Sequence, residues 1–186
     1  MGTVIFFGLI AAFFLWLITA FNRLVALKGQ VQNGWKQIDV QLKRRHDLIP
    51  NLVDTVKGAL QFERETLDAV ITARSRAVSA TGVKDVAQAE GELTQALGRL
   101  FAVAEAYPDL KALANVSQLQ EELTSTENRI AFSRQHYNDV ATTYNVAQQQ
   151  FPTSLVASLA KASIVELWEI TDPGERAVPK VDISLR

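Results

Sequence analysis

The 186-residue chain has no cysteine. That excludes a disulfide framework, thiol catalysis, thiolate-bound metal and a lipid-modified N-terminal cysteine, but it leaves the compartment open. Proline and glycine are scarce, at five and nine, so long helices meet few of the residues that break them. Charge of one sign is not in excess. Nineteen basic residues face twenty acidic ones, a net charge of −1, and a general affinity for nucleic acid has no electrostatic basis. The two histidines, His46 and His136, stand in neither the His-x-x-His nor the Glu-x-x-His spacing that metal-binding bundles use. A Gly-rich phosphate loop and a Gly-x-Ser-x-Gly elbow are also missing. The expectation is therefore no metal, no cofactor and no enzymatic activity.

What is present begins with Thr3 to Phe21, nineteen residues without a charge. As a helix this run spans roughly 28 Å, close to the bilayer core of about 30 Å. A cleaved signal peptide fits poorly, because no basic residue precedes the run and no small-x-small site closes it. Arg23, Lys28 and Lys36 follow the run and none precedes it. The positive-inside rule then places the N-terminus outside and the rest in the cytoplasm, as a single-pass protein. Small residues Gly2, Gly8, Ala11 and Ala12 offer a weak signal for contacts between such helices.

No linker separates this run from Trp35–Gly58, where apolar residues recur at Val31, Trp35, Ile38, Leu42, Ile49, Leu52 and Val56. Spacings of three, four and seven put them on one helical face. The simplest reading is one helix leaving the membrane, with Lys43 roughly 33 Å beyond Phe21. At that distance Lys43, Arg44 and Arg45 are too far out for lipid headgroups, whose potential fades within about 10 Å. The pattern continues past Gly58 through Leu60, Leu67, Val70 and Ile71 until a turn signal at Ser79–Gly82. A second helix is expected from Asp85 to near Tyr107-Pro108. A third carries Val116, Leu123, Ile130, Tyr137 and Tyr144 every seven residues, with Leu119, Thr126, Ser133 and Val140 between them. That is a coiled-coil-like seam about 40 Å long. A fourth is expected from Pro152 through Leu155, Leu159, Ile164 and Leu167 to Trp168. These segments predict an all-α fold: a transmembrane helix at residues 1–22, continuing into an antiparallel bundle of four long helices over 23–170. Residues 171–186 form a C-terminal tail.

Two features break the apolar face of the first helix. Arg45 or His46 falls at a core-phased position, and Pro50 removes a backbone donor, predicting a kink or a break near His46 to Asn51. On the third helix, Glu127, Asn128 and Arg129 adjoin the small seam residues Thr126 and Ser133. A polar cluster is expected in which Arg45 or His46 pairs with Glu127 or Glu122 and Asn128 adds a hydrogen bond. Its role would be to fix helix register. The alternative is that all these charges lie on a solvated face.

IDVQLKRRHDLIPNLVDTVKG (Ile38 to Gly58), the stretch from Tyr107 to Asn145 and FPTSLVA (Phe151 to Ala157) closely resemble the LemA family. The apolar segment and FNRLVALKGQVQNGW also look like its N-terminal part. The resemblance implies a bacterial inner-membrane protein with an anchored bundle of long helices and its N-terminus outside. It defines no catalytic residues. The functional expectation is a scaffold or interaction protein that contacts the bilayer and self-associates. The alternatives are an accessory subunit of a membrane protease or transporter and, less favoured, a helical-bundle enzyme.

Overall fold

The computed structural model describes residues 1–58, 60, 63–111 and 113–169, and these contain helix and no strand. The helices are α1 (Gly2–Val56), α2 (Arg64–Ser79), α3 (Val83–Glu105), α4 (Pro108–Lys111), α5 (Ala114–Gln149) and α6 (Thr153–Leu159). The all-α class, with an apolar N-terminal helix leading into a helical bundle, is as the sequence predicts. Two segments differ from the expectation. The first helix does not run on past Gly58: it stops at Val56, and α2 starts afresh at Arg64. Glycine lowers helix propensity by about 1 kcal/mol against alanine, and Leu60, fully buried in the connection, carries the core across the break instead. The fourth helix is only the seven residues of α6. Among the described residues four long helices remain, α1, α2, α3 and α5, because one break was added and one helix was lost. The tail at 171–186 lies outside the described residues.

The chain divides into two units, one formed by Met1–Arg45 and Thr124–Leu167, the other by His46–Leu123 with Trp168. In the first unit, α1 begins as a helix that is apolar all round yet covered by nothing: Val4, Phe7, Leu9 and Leu15 are all exposed. A buried stripe starts at Ala20 and continues through Leu24, Val31, Ile38, Leu42 and Arg45. It packs on the seam of α5, where Thr126, Ile130, Tyr137, Ala141 and Tyr144 are buried. The two helices are antiparallel, since Gly34 of α1 faces Tyr137 whereas Arg45 faces Glu127. At Gly34 the backbones come close: a Cβ there would lie 3.3 Å from the Tyr137 Cα and 3.4 Å from Val140 Cγ2. The adjacent Trp35 ring meets the Tyr137 ring edge-on, with centroids 5.5 Å apart.

In the second unit the core is aliphatic. Ile49, Leu52 and Val56 from α1 pack with Val70 of α2, Leu93 and Leu100 of α3, and Leu110 and Leu123. α2 and α3 form a hairpin across the expected turn, where Gly82 takes φ +85°. L-residues rarely adopt that conformation, so glycine is required there.

Candidate functional site

The polar residues singled out by their phase on α1 separate, because neighbouring residues on a helix point about 100° apart. Arg45, only 4% exposed, turns to α5 in the first unit, and its Nη1 lies 3.0 Å from Glu127 Oε2. Glu127 remains about one-third exposed, and its other oxygen is 3.9 Å from Arg134 Nη2. Oε2 is enclosed without a well-aligned hydrogen bond, so the contact with Arg45 is chiefly one of opposite charges at short range. Thr126 is buried beside the pair in sequence and Ser133 is half-buried. Asn128 is exposed and takes no part. Glu122 is half-buried and belongs to the second unit.

Arg45 is thus the one of the two candidates that meets Glu127, and His46 meets a different carboxylate. The His46 Nε2 lies 2.6 Å from Oε1 of Glu90 on α3, a carboxylate whose side chain is 3% exposed. Glu90 is phased with Val86, Leu93 and Leu97, all buried on the core face of α3. A charge on that face repeats the signal seen on α1.

Pro50 neither ends α1 nor interrupts its helical assignment. It has no N–H, so the carbonyl one turn before it, that of His46, loses its intrahelical donor. Arg74 of α2 supplies the replacement: its Nε donates to the His46 carbonyl oxygen at 2.7 Å. The proline, the histidine, Arg74 and Glu90 therefore act as one arrangement. His46 binds α3 by its side chain and α2 by its backbone.

A third polar set lies at the far end of α5, in the first unit. After α6 the chain turns at Lys161, with φ +47°, and runs without regular structure to residue 169. The Asn145 amide holds this segment from both sides. Its Nδ2 donates to the Val165 carbonyl at 2.8 Å, and its Oδ1 accepts from the Val165 N–H at 2.9 Å. Gln148 donates to the Ser163 carbonyl, and the buried Tyr137 hydroxyl donates to the Glu166 carbonyl at 2.7 Å. These side chains replace the backbone partners that a fourth helix would have provided. Burial, and secondarily the Glu166 carboxylate, push the Tyr137 phenol above its ordinary pKa of 10.0.

Within the second unit, a groove of about 350 Å³ is lined by Val53, Leu60, Leu67 and the charged Asp54, Lys57, Arg64 and Asp68. Its charges balance and select no ligand class. Among the described residues no three His, Asp or Glu side chains converge as metal ligands would.

The LemA family model matches residues 34–183. The chain belongs to the LemA family. No curated protein matches it. The match opens at Gly34, where α1 and α5 come close, and takes in the Arg45–Glu127 pair, the His46–Glu90 contact and the Asn145 clamp. The apolar run precedes it.

Proposed function

We propose that this LemA-family chain is a membrane-anchored scaffold without catalytic activity, spanning the bilayer once with its N-terminus outside and its helical bundle in the cytoplasm. The observation that supports it is the character of α1. Its residues 2–15 carry no charge, are apolar apart from Thr3 and are all exposed, which an aqueous helix does not tolerate and a lipid-facing one requires. The same helix then becomes a core element with no linker, so the bundle is held by a rigid stalk. A stalk of this kind favours lateral packing of copies at a fixed height. The mass of the full-length protein extracted in mild detergent tests this. A discrete homo-oligomer is expected, and a clean monomer at high concentration overturns self-association.

A second reading, an accessory subunit of a membrane protease or transporter, is favoured by the groove beside Asp54 and Arg64. It predicts a stoichiometric partner on pull-down, lost when Ile71→Asp puts a charge on the exposed edge of the groove.

A further inference from the structure

The chain after α5 is apolar where its own unit does not cover it. Leu155 and Leu159, one turn apart on α6, are 61% and 72% exposed, and Phe151 is 82% exposed. Val156 and Ala157, on the other side of α6, are buried. This short helix therefore has one apolar face used for packing and a second apolar face left open.

The register of the first unit says where that face lies. Eleven residues up α1, from Gly34 to Arg45, match ten down α5, from Tyr137 to Glu127. At that exchange the end of α5 at Gln149 comes level with about Phe21, the last residue of the apolar run. Yet the burial of α1 continues below this level: Ala20 is buried, and Leu17 and Trp16 are half-buried. The residues of this unit that follow α5 are 150–167, and 163–166 turn back along it to Tyr137, Asn145 and Gln148, which leaves α6 at this end of the unit, near that turn of α1. Charge agrees. Neither 1–38 nor 140–165 contains an acidic residue, while Arg23, Lys28 and Lys161 are exposed. This end of the unit is apolar and basic, as an anionic lipid surface requires.

We infer that Phe151, Leu155 and Leu159 form a wedge that enters the cytoplasmic leaflet beside α1, with Arg23 and Lys161 at the headgroup phosphates. The inference rests on the anchored, N-outside reading. It gives the bundle a second attachment to the bilayer and fixes its tilt against the stalk.

The absence of cysteine allows single-site labelling of the full chain. Leu159→Cys, Ile10→Cys and Ser79→Cys, each carrying an environment-sensitive fluorophore, are reconstituted in phosphatidylcholine–phosphatidylglycerol vesicles. Nitroxide lipids with shallow or deep labels and aqueous iodide then serve as quenchers. The inference expects position 159 to lose most of its emission to the shallow lipid quencher, position 10 to the deep one and position 79 to iodide alone. Lipid quenching at 10 with iodide quenching at 159 overturns the wedge and leaves the anchor standing. Iodide quenching at 10 overturns both. Protection of 159 from lipid and iodide alike also overturns it, because a second copy of the chain then covers α6.

Discussion

Both units bury aliphatic side chains, but where the second closes on leucine, isoleucine, valine and alanine, the first adds to Leu24, Val31, Ile38, Leu42 and Ile130 two tyrosines, a close glycine contact, a threonine and an ion pair. Aliphatic burial is strong but carries little positional information, since many arrangements of similar volume serve. A seam of polar and aromatic groups is demanding: each group has one partner at one height. The first unit has little else to set its register, being largely two long helices and a clamped segment. The second adds polar detail around an existing core, with His46, Glu90 and Arg74 joined across three helices.

The sharpest way to break this comparison is to remove the polar contacts one unit at a time. For Arg45 and Glu127, losing one partner of a fully buried pair costs about 3–5 kcal/mol. With Glu127 one-third exposed the expected loss is about 2 kcal/mol for Arg45→Met or Glu127→Leu. The double variant should lose less than the sum, measured by denaturant unfolding; strict additivity would show that the pair does not set register. In the second unit, Arg74→Leu leaves the His46 carbonyl without a donor and should cost about 2 kcal/mol. Pro50→Ala restores the intrahelical N–H, so Arg74→Leu in that background should be nearly harmless. An undiminished cost there would mean that Arg74 acts through something other than the proline gap.

Much of this organisation can be read along the chain, and what cannot has physical causes. The seam of α5 was visible because seven-residue spacing survives any detail of packing, and the burial of Tyr137 and Tyr144 follows it. Arg45 was visible as a charge in a core phase. Glu90 carries the same mark on α3, as a charge in phase with the buried Val86 and Leu93. Arg74 announces nothing by itself, but Pro50 implies an orphaned carbonyl at His46 and hence a donor somewhere in space. The fourth helix misled because Leu155, Leu159, Ile164 and Leu167 keep helical spacing. That periodicity normally reports burial within the protein, whereas all four are exposed here. The backbone of 163–166 is instead captured by Tyr137, Asn145 and Gln148, and side-chain capture leaves no periodic trace.

The Tyr137 clamp offers a milder perturbation, with pH as the variable. Burial and Glu166 raise the phenol above 10.0 in the folded chain. The folded state therefore keeps a proton that the unfolded chain, titrating near 10, has begun to lose. The stabilisation is complete below pH 10 and disappears as pH rises through the raised value. Tyr137→Phe removes the bond to the Glu166 carbonyl at a cost of about 1 kcal/mol. It should also flatten part of the alkaline decline; Tyr107, raised as well by burial and Glu63, keeps the remainder. A wild-type and variant pair with identical alkaline slopes would show that the phenol is not held in its protonated form by the fold.

The smallest effects are the most discriminating, because one substitution should change sign between the units. Glycine to alanine inside a helix restricts the unfolded chain and stabilises by about 0.5–1 kcal/mol where the methyl has room. Gly91 on α3 is exposed with nothing within 4 Å of an added Cβ, so Gly91→Ala should raise stability by that amount. Gly34→Ala places its methyl 3.3 Å from the Tyr137 Cα. That neighbour is backbone, its side chain is pinned by the Glu166 carbonyl and by the Trp35 ring, and Val140 closes the other side. It cannot move away cheaply. Overpacking of about 1–3 kcal/mol then outweighs the entropic gain, and Gly34→Ala should destabilise by about 1 kcal/mol. If thermal melting instead moves both variants upward, the α1–α5 seam is looser than its spacing implies, and the first unit would not depend on close fit in the way the second depends on aliphatic mass.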